Sequence, residues 1–238
     1  MMPRNLEKNA FVRESRRQQI LEAALSVYIR AGYHGTNMDD VAEAAKLAKG
    51  LVYYYYRTKK ELFTELYTWM FREGFLFSDA LLEASKDMDP VEQLMYYAYG
   101  MFGANKEKPL MMQFYMRAPF DAFAVFGTEK WEEGAVKSDI HRRSLADIIE
   151  RGVRQGVIPH TNPSSAANSF WSVFVANVFE YSKLIMGEQG ALENEADTFR
   201  AVVRFCFQGL GVEYDLWNCC LEKVIADNRK GEPTYEGL

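Results

Sequence analysis

Apolar residues recur at helical spacing along nearly the whole chain. Ile20, Ala23, Ala24, Val27, Tyr28 and Ala31 fall at i, i+3, i+4, i+7, i+8 and i+11, one stripe on a predicted helix of roughly residues 13–31. Gly32 follows in the place where helices commonly end on glycine. Further helices are predicted at about 60–83, with a bend near Gly74, and at 90–105, 109–117, 129–155, 163–186, 193–210 and 214–227. Their bounds are turn signals such as Pro90, Pro109 and Gly156. In Thr161-Asn162-Pro163, Asn162 is placed to cap a helix and Pro163 suits its first position. Periodicity leaves one run open, Leu51–Tyr56, which is β-prone but too short to decide. The pattern as a whole predicts an all-α protein with a frayed tail at 228–238.

The segment Thr36–Lys60 carries more than periodicity. Asn37 is followed three residues later by Asp40, an approximate capping box. A short helix of about 38–45 then turns Val41, Ala42 and Ala45 inward. The turn Lys46-Leu47-Ala48 leads into a second short helix of about 49–56. Two short helices joined in this way make a helix-turn-helix, whose second helix can enter the DNA major groove.

Composition narrows the class. The 238 residues are 48% hydrophobic and 26% charged, which excludes a disordered chain, a collagen-like fibre and a disulfide-built miniprotein. Three cysteines, two of them the neighbours Cys219 and Cys220, point to a reducing compartment. The charged start MMPRNLEKNAFVRESRR has no apolar core of signal-peptide length, and no apolar run approaches the ~18–20 residues of a membrane span. A cytoplasmic protein without membrane contact is expected. Residues 1–60 hold 11 basic and 6 acidic residues, net +5, against −10 for the remainder. A basic head on an acidic body suits a polyanionic partner; a chance gradient is the alternative.

These residues resemble the TetR family of transcriptional regulators. The family pattern is matched in register from Arg13 to Leu62: Ala31-Gly32-Tyr33, Thr36-Asn37, Val41-Ala42, Ala45-Lys46-Leu47-Ala48-Lys49-Gly50, Tyr53-Tyr54-Tyr55-Tyr56 and Lys59-Lys60-Glu61-Leu62. The resemblance implies a three-helix helix-turn-helix DNA-binding head at 13–71 and a helical ligand-binding and dimerisation body at 72–227. It implies a homodimer on a palindromic operator, most often a ligand-responsive repressor. Its DNA-contacting positions correspond here to Thr36, Asn37, Lys49, Gly50, Tyr53, Tyr54, Tyr55 and Lys59, the last matching a phosphate-binding lysine. Core packing is an equal reading for Tyr53 and Tyr56. Arg16 and Arg17 stand either at the groove or on a solvated face. Three departures bear on single contacts. Lys46 replaces the usual turn glycine, at ~1–2 kcal/mol if its backbone is left-handed. Ala48 replaces serine and loses a capping hydroxyl, whereas Asn37 replaces threonine and keeps the capping chemistry.

In the body, the aromatic and methionine residues of the middle helices suit a pocket for a small apolar or aromatic effector, although residue by residue an ordinary core is the stronger reading. Met101, Phe114, Trp171, Phe174 and Asn177 are the candidate lining. Lys106, Lys108 and Arg117 stand either for an acidic ligand or for water. No catalytic residue, metal site or cofactor is expected: His34, His141 and His160 have no metal-ligand spacing, and no nucleophile elbow or phosphate-cradling glycine loop occurs. The rivals are an activator or effector-independent regulator and, from another class, an all-α enzyme or adaptor with an incidental helix-turn-helix.

Overall fold

The computed structural model describes residues 4–127, 142–186 and 195–228. Among these residues all regular structure is helical: α1 (Arg4–Gly35), α2 (Met38–Ala44), α3 (Lys49–Tyr55), α4 (Lys59–Ala84), α5 (Pro90–Glu107), α6 (Pro109–Phe126), α7 (142–154), α8 (Pro163–Met186), α9 (Glu195–Gly209) and α10 (Tyr214–Asn228). The open run Leu51–Tyr56 is therefore helical. The expected tail beyond Asn228 and the first half of the helix expected at 129–155 lie outside the described residues.

Two compact units result. The first comprises residues 4–72 and 113–127, the second 73–112, 142–186 and 195–228. In the first, the α1 stripe packs with α2, α3 and α4 through Ile20, Ala24, Val27, Val41, Val52, Phe63 and Leu66, all 0–3% exposed. Tyr28 and Tyr67 are also fully buried. The Tyr67 hydroxyl donates to the Ala118 carbonyl at 3.3 Å and accepts from Tyr28 at 2.9 Å, so neither phenol is orphaned. Burial raises both phenols well above the ordinary tyrosine range.

Three elements differ from the sequence expectation. α1 starts at Arg4 rather than 13, a charged extension in which Phe11 and Val12 are exposed. α4 runs unbroken through Gly74. α6 does not stop at 117 but passes Pro119 and reaches Phe126. An interior proline costs ~3 kcal/mol, and the buried stripe Phe114, Ala118, Ala122 and Val125 offsets it by continuing on both sides.

Gly32 does break the regular helix, at φ 72, before a last turn to Gly35. Arg117 fills the bend. Its guanidinium donates to the Ile29 carbonyl and to Asp121, both at 3.2 Å, and lies 5.5 Å from the Tyr28 ring centre. Arg117 thus caps an interrupted helix.

The second unit is a packed helical core. Leu94, Met95, Phe174, Val178, Val203, Phe207 and Leu221 are fully buried, and Phe102 stacks on Tyr181 at 4.7 Å. Asn162 caps α8 by accepting from the Ser165 amide at 2.9 Å. Cys206 lies in this core, where burial pushes its thiol up to about 12; Cys219 is exposed. No helix among the described residues is long and apolar enough to cross a membrane.

Candidate nucleic-acid interface

The geometry of α2 and α3 starts from their caps. The Asn37 side chain accepts from the Asp40 amide at 2.8 Å, and Asp39 and Asp40 complement the helix dipole in the first turn. At the far end Lys46 adopts φ 54, the left-handed conformation for which glycine is favoured. Its amide donates to the Glu43 carbonyl at 2.9 Å and the Leu47 amide to Ala42 at 3.0 Å, closing the turn. Gln19 donates to the Ala45 carbonyl at 2.7 Å and ties that turn to α1. α3 then begins at Lys49, and the residue at its N-cap, Ala48, has no side-chain group to cap it.

Burial divides α3 into two faces. Val52 and, just past the helix, Tyr56 are buried; Lys49, Gly50, Tyr53 and Tyr54 are exposed, with Tyr54 at 70%. Tyr55 is half-buried and meets Tyr54 edge-to-face at 5.4 Å. A β-carbon added to Gly50 would meet nothing within 4 Å, so the chain's own packing does not require glycine there. Lys49 Nζ lies 2.6 Å from Asp39 Oδ2 and 5.9 Å from the Tyr53 ring centre.

The other expected contacts divide. Asn37 is exposed. Thr36 is buried and its hydroxyl donates to the Gly32 carbonyl at 2.7 Å. Lys59 Nζ donates to the carbonyls of Tyr33 (2.8 Å), Thr36 (3.0 Å) and His34 (3.3 Å) and lies 4.7 Å from the Tyr33 ring centre. Its cationic head thus closes the end of α1 onto the start of α4. Arg17 pairs with Glu65 and lies over Tyr56, whereas Arg16 is exposed and bonds only locally to Gln19. Sequence reasoning missed Asp39, Gln19 and Glu65, whose partners lie 10, 26 and 48 residues away, beyond any local spacing rule.

The five candidate effector residues are not brought together. Phe114 is buried in the first unit, with Phe71 and Tyr67 rings at 5.9 and 4.9 Å. Phe174 is a fully buried core residue of the second unit, and Trp171 stacks on it at 6.0 Å. Met101 is half-buried against the same core. Asn177 is exposed and donates to the Val173 carbonyl of its own helix at 2.8 Å. A groove of about 570 Å³ lies elsewhere, along Asp197, Arg200, Ala201, Arg204, Phe205 and Gln208 of α9.

Comparison with known proteins bears on this arrangement. The family model described as bacterial regulatory proteins, tetR family, matches residues 20–66, from the second half of α1 to the start of α4. The uncharacterized HTH-type transcriptional regulator YhgD of Bacillus subtilis is 29% identical over 172 residues, 71% of this chain and 85% of that protein. An Escherichia coli K12 protein named "Probable acrEF/envCD operon repressor" is 30% identical over 153 residues, 60% of this chain and 64% of its own length. Among solved structures, AibR in complex with isovaleryl coenzyme A and operator DNA superposes with a TM-score of 0.61 at 17% identity, covering 83% of this chain and all of that one.

Proposed function

This chain belongs to the TetR family of transcriptional regulators and is a DNA-binding regulator, not an enzyme; from that premise we propose that it acts as a homodimeric, effector-responsive repressor on a palindromic operator. The observation that carries the proposal is the exposed face of α3. Lys49, Gly50, Tyr53 and Tyr54 stand outward on a short helix held rigid by Val52 and Tyr56. Lysine donates to guanine or phosphate oxygens, tyrosine packs on sugar or a thymine methyl, and glycine lets the backbone come close. Asn37 and Tyr55 flank this face. Thr36 and Lys59 act from behind it, by holding the end of α1 in place.

Dimerisation is supported by α9, where Phe205 is 66% exposed beside Ala201 and between Arg200, Arg204 and Gln208. A two-fold dimer places two α3 helices ~34–36 Å apart, one DNA turn. The effector reading is supported by the aromatic and methionine content of the second unit and by AibR, which was solved with an acyl-coenzyme A and operator DNA together. We assign a small apolar or aromatic effector to the second unit, with Met101, Trp171 and Phe174 as its candidate lining and Asn177 on the same helix as the last two; Phe114 lies in the first unit. α4 passes from the first unit to the second at Arg72, and α6 returns at Gln113, so both helices are suited to carry an effector-dependent shift. An effector acts only through its different affinities for the two states. The regulator works in the cytoplasm, where its DNA lies.

The test is selection of duplexes by the full chain from a random library, followed by sedimentation of the complex. Recovery of a palindrome bound by two chains supports the proposal; an asymmetric site bound by one chain refutes the dimer. A thermal-shift screen of apolar acids and acyl-coenzyme A esters, isovaleryl coenzyme A included, then addresses the effector. A hit that stabilises the protein must also release the selected duplex, by about 5- to 150-fold. No release by any stabilising hit favours an effector-independent regulator.

A further inference from the structure

Lys49 and Asp39 stand on different helices of the helix-turn-helix, both exposed, with their charged atoms 2.6 Å apart. A lone lysine at this place would pair with any phosphate, since its ammonium is a point charge on a flexible stem. Here the ammonium already has a carboxylate partner. Asp39 pairs with the ammonium from the first turn of α2, and the Tyr53 ring centre lies 5.9 Å from it. A carboxylate on a DNA-facing surface also repels the backbone phosphates, so it weakens binding that depends on charge alone.

The pair has a natural counterpart in the major groove. A G·C pair presents there the O6 and N7 acceptors of guanine and one free N–H of the cytosine N4 amino group. Guanine O6 and cytosine N4 are themselves hydrogen-bonded, hence about 2.9 Å apart. Lysine Nζ and aspartate Oδ2 are separated by nearly the same distance. Laid edge to edge, Nζ donates to O6, N4 donates its free hydrogen to Oδ2, and the two internal bonds Nζ–H to Oδ2 and N4–H to O6 are kept. Donors and acceptors alternate around a closed ring of four atoms. Every hydrogen used is available: Nζ has three, and N4 has two. An A·T pair offers the same donor and acceptor at adenine N6 and thymine O4, but it sets the thymine methyl beside the ammonium and the adenine N7 acceptor beside the carboxylate, whereas guanine sets its N7 beside the ammonium, where the third Nζ hydrogen is free to take it up.

We propose that Asp39 and Lys49 together read one G·C base pair in each operator half-site, so that Asp39 is a specificity-determining residue rather than only a helix-dipole partner. The proposal rests on the DNA-binding reading of α3 and adds the residue on α2 and the base pair recognised.

The experiment uses the full chain in three forms besides wild type: Asp39→Ala, Lys49→Ala and Asp40→Ala. Asp40→Ala removes the other first-turn acid of α2 and is the control for a dipole effect. Each form selects duplexes from a random library and is then titrated with the wild-type-selected duplex and with copies carrying single G·C to A·T exchanges. Melting curves establish that each variant is folded. The expected result is one half-site position at which exchange weakens wild type and Asp40→Ala about 5- to 150-fold. Asp39→Ala and Lys49→Ala should be indifferent at that position. Asp39→Ala should also bind scrambled duplex more tightly than wild type does. The proposal is overturned if Asp39→Ala keeps the same G·C preference, or if Asp40→Ala loses it equally. Wild type that selects a defined site lacking any such G·C position also overturns it, while leaving the DNA-binding reading intact. Wild type that enriches no sequence overturns both.

Discussion

At the scale of the residue, two positions show how backbone conformation separates stability from recognition. Lys46 is held left-handed at φ 54, where a side chain costs ~1–2 kcal/mol. Lys46→Gly should therefore raise stability to denaturant by about 1 kcal/mol, measured as a shift in the urea midpoint at constant slope. Gly50 is the reverse case, a helical glycine whose β-carbon would meet nothing in the chain. Gly50→Ala should stabilise by about 0.5–1 kcal/mol and yet weaken duplex binding, because the added methyl meets DNA instead. Stabilisation with unchanged binding would remove Gly50 from the interface. The Asn37 cap and the capless Ala48 follow from local spacing and were legible in the sequence. The conformation of Lys46 was conditional there and is now observed. Lys59 and Thr36 were legible only as polar residues in a motif. Thr36 bonds the carbonyl four residues back, a local pattern open to any threonine, whereas the carbonyls that hold Lys59 lie up to 26 residues away, where no local rule reaches.

At the scale of the element, helix existence followed from periodicity, and helix ends followed wherever a cap marked them, as at Asn162 and Gly156. The ends were misread where tertiary packing outweighs a local breaker. Pro119 reads as a stop, but the stripe from Phe114 to Val125 is buried on both sides of it. Gly32 reads as a stop and is one, and its lack of a side chain has a second use. A β-carbon there would collide with Arg117 Nη2, displacing the guanidinium that caps Ile29. Gly32→Ala should therefore cost more than the ~1–2 kcal/mol of left-handed backbone strain alone. In the Arg117→Ala background the excess over that strain should vanish, a non-additivity that a double-mutant cycle of denaturation energies measures. A full cost that persists without Arg117 would mean that the strain is wholly local.

At the scale of the whole molecule, the charge gradient, the all-α pattern and the motif agree with the fold and the family. The effector lining was not legible, because aromatic residues at helical spacing satisfy a core as readily as a pocket. Phe114 and Phe174 are both fully buried, yet in different units. The basic surplus of residues 1–60 predicts duplex affinity that falls steeply with salt. Because Lys59 Nζ is committed to three carbonyls, Lys59→Ala should lower thermal stability and leave the log–log salt slope unchanged. A slope reduced by about one would return Lys59 to the phosphate contacts. On the proposed function, the outward face of α3 recognises DNA sequence. That recognition is tested most directly by titrating wild type and Tyr54→Ala against the selected duplex and its scrambled counterpart, with melting curves for both proteins. Wild type is expected to prefer the selected duplex at least about 10³-fold, and Tyr54→Ala to melt as wild type does but lose ~1–3 kcal/mol of that discrimination. Equal wild-type affinity for the two duplexes, or a Tyr54→Ala protein that melts early while discriminating fully, would contradict it.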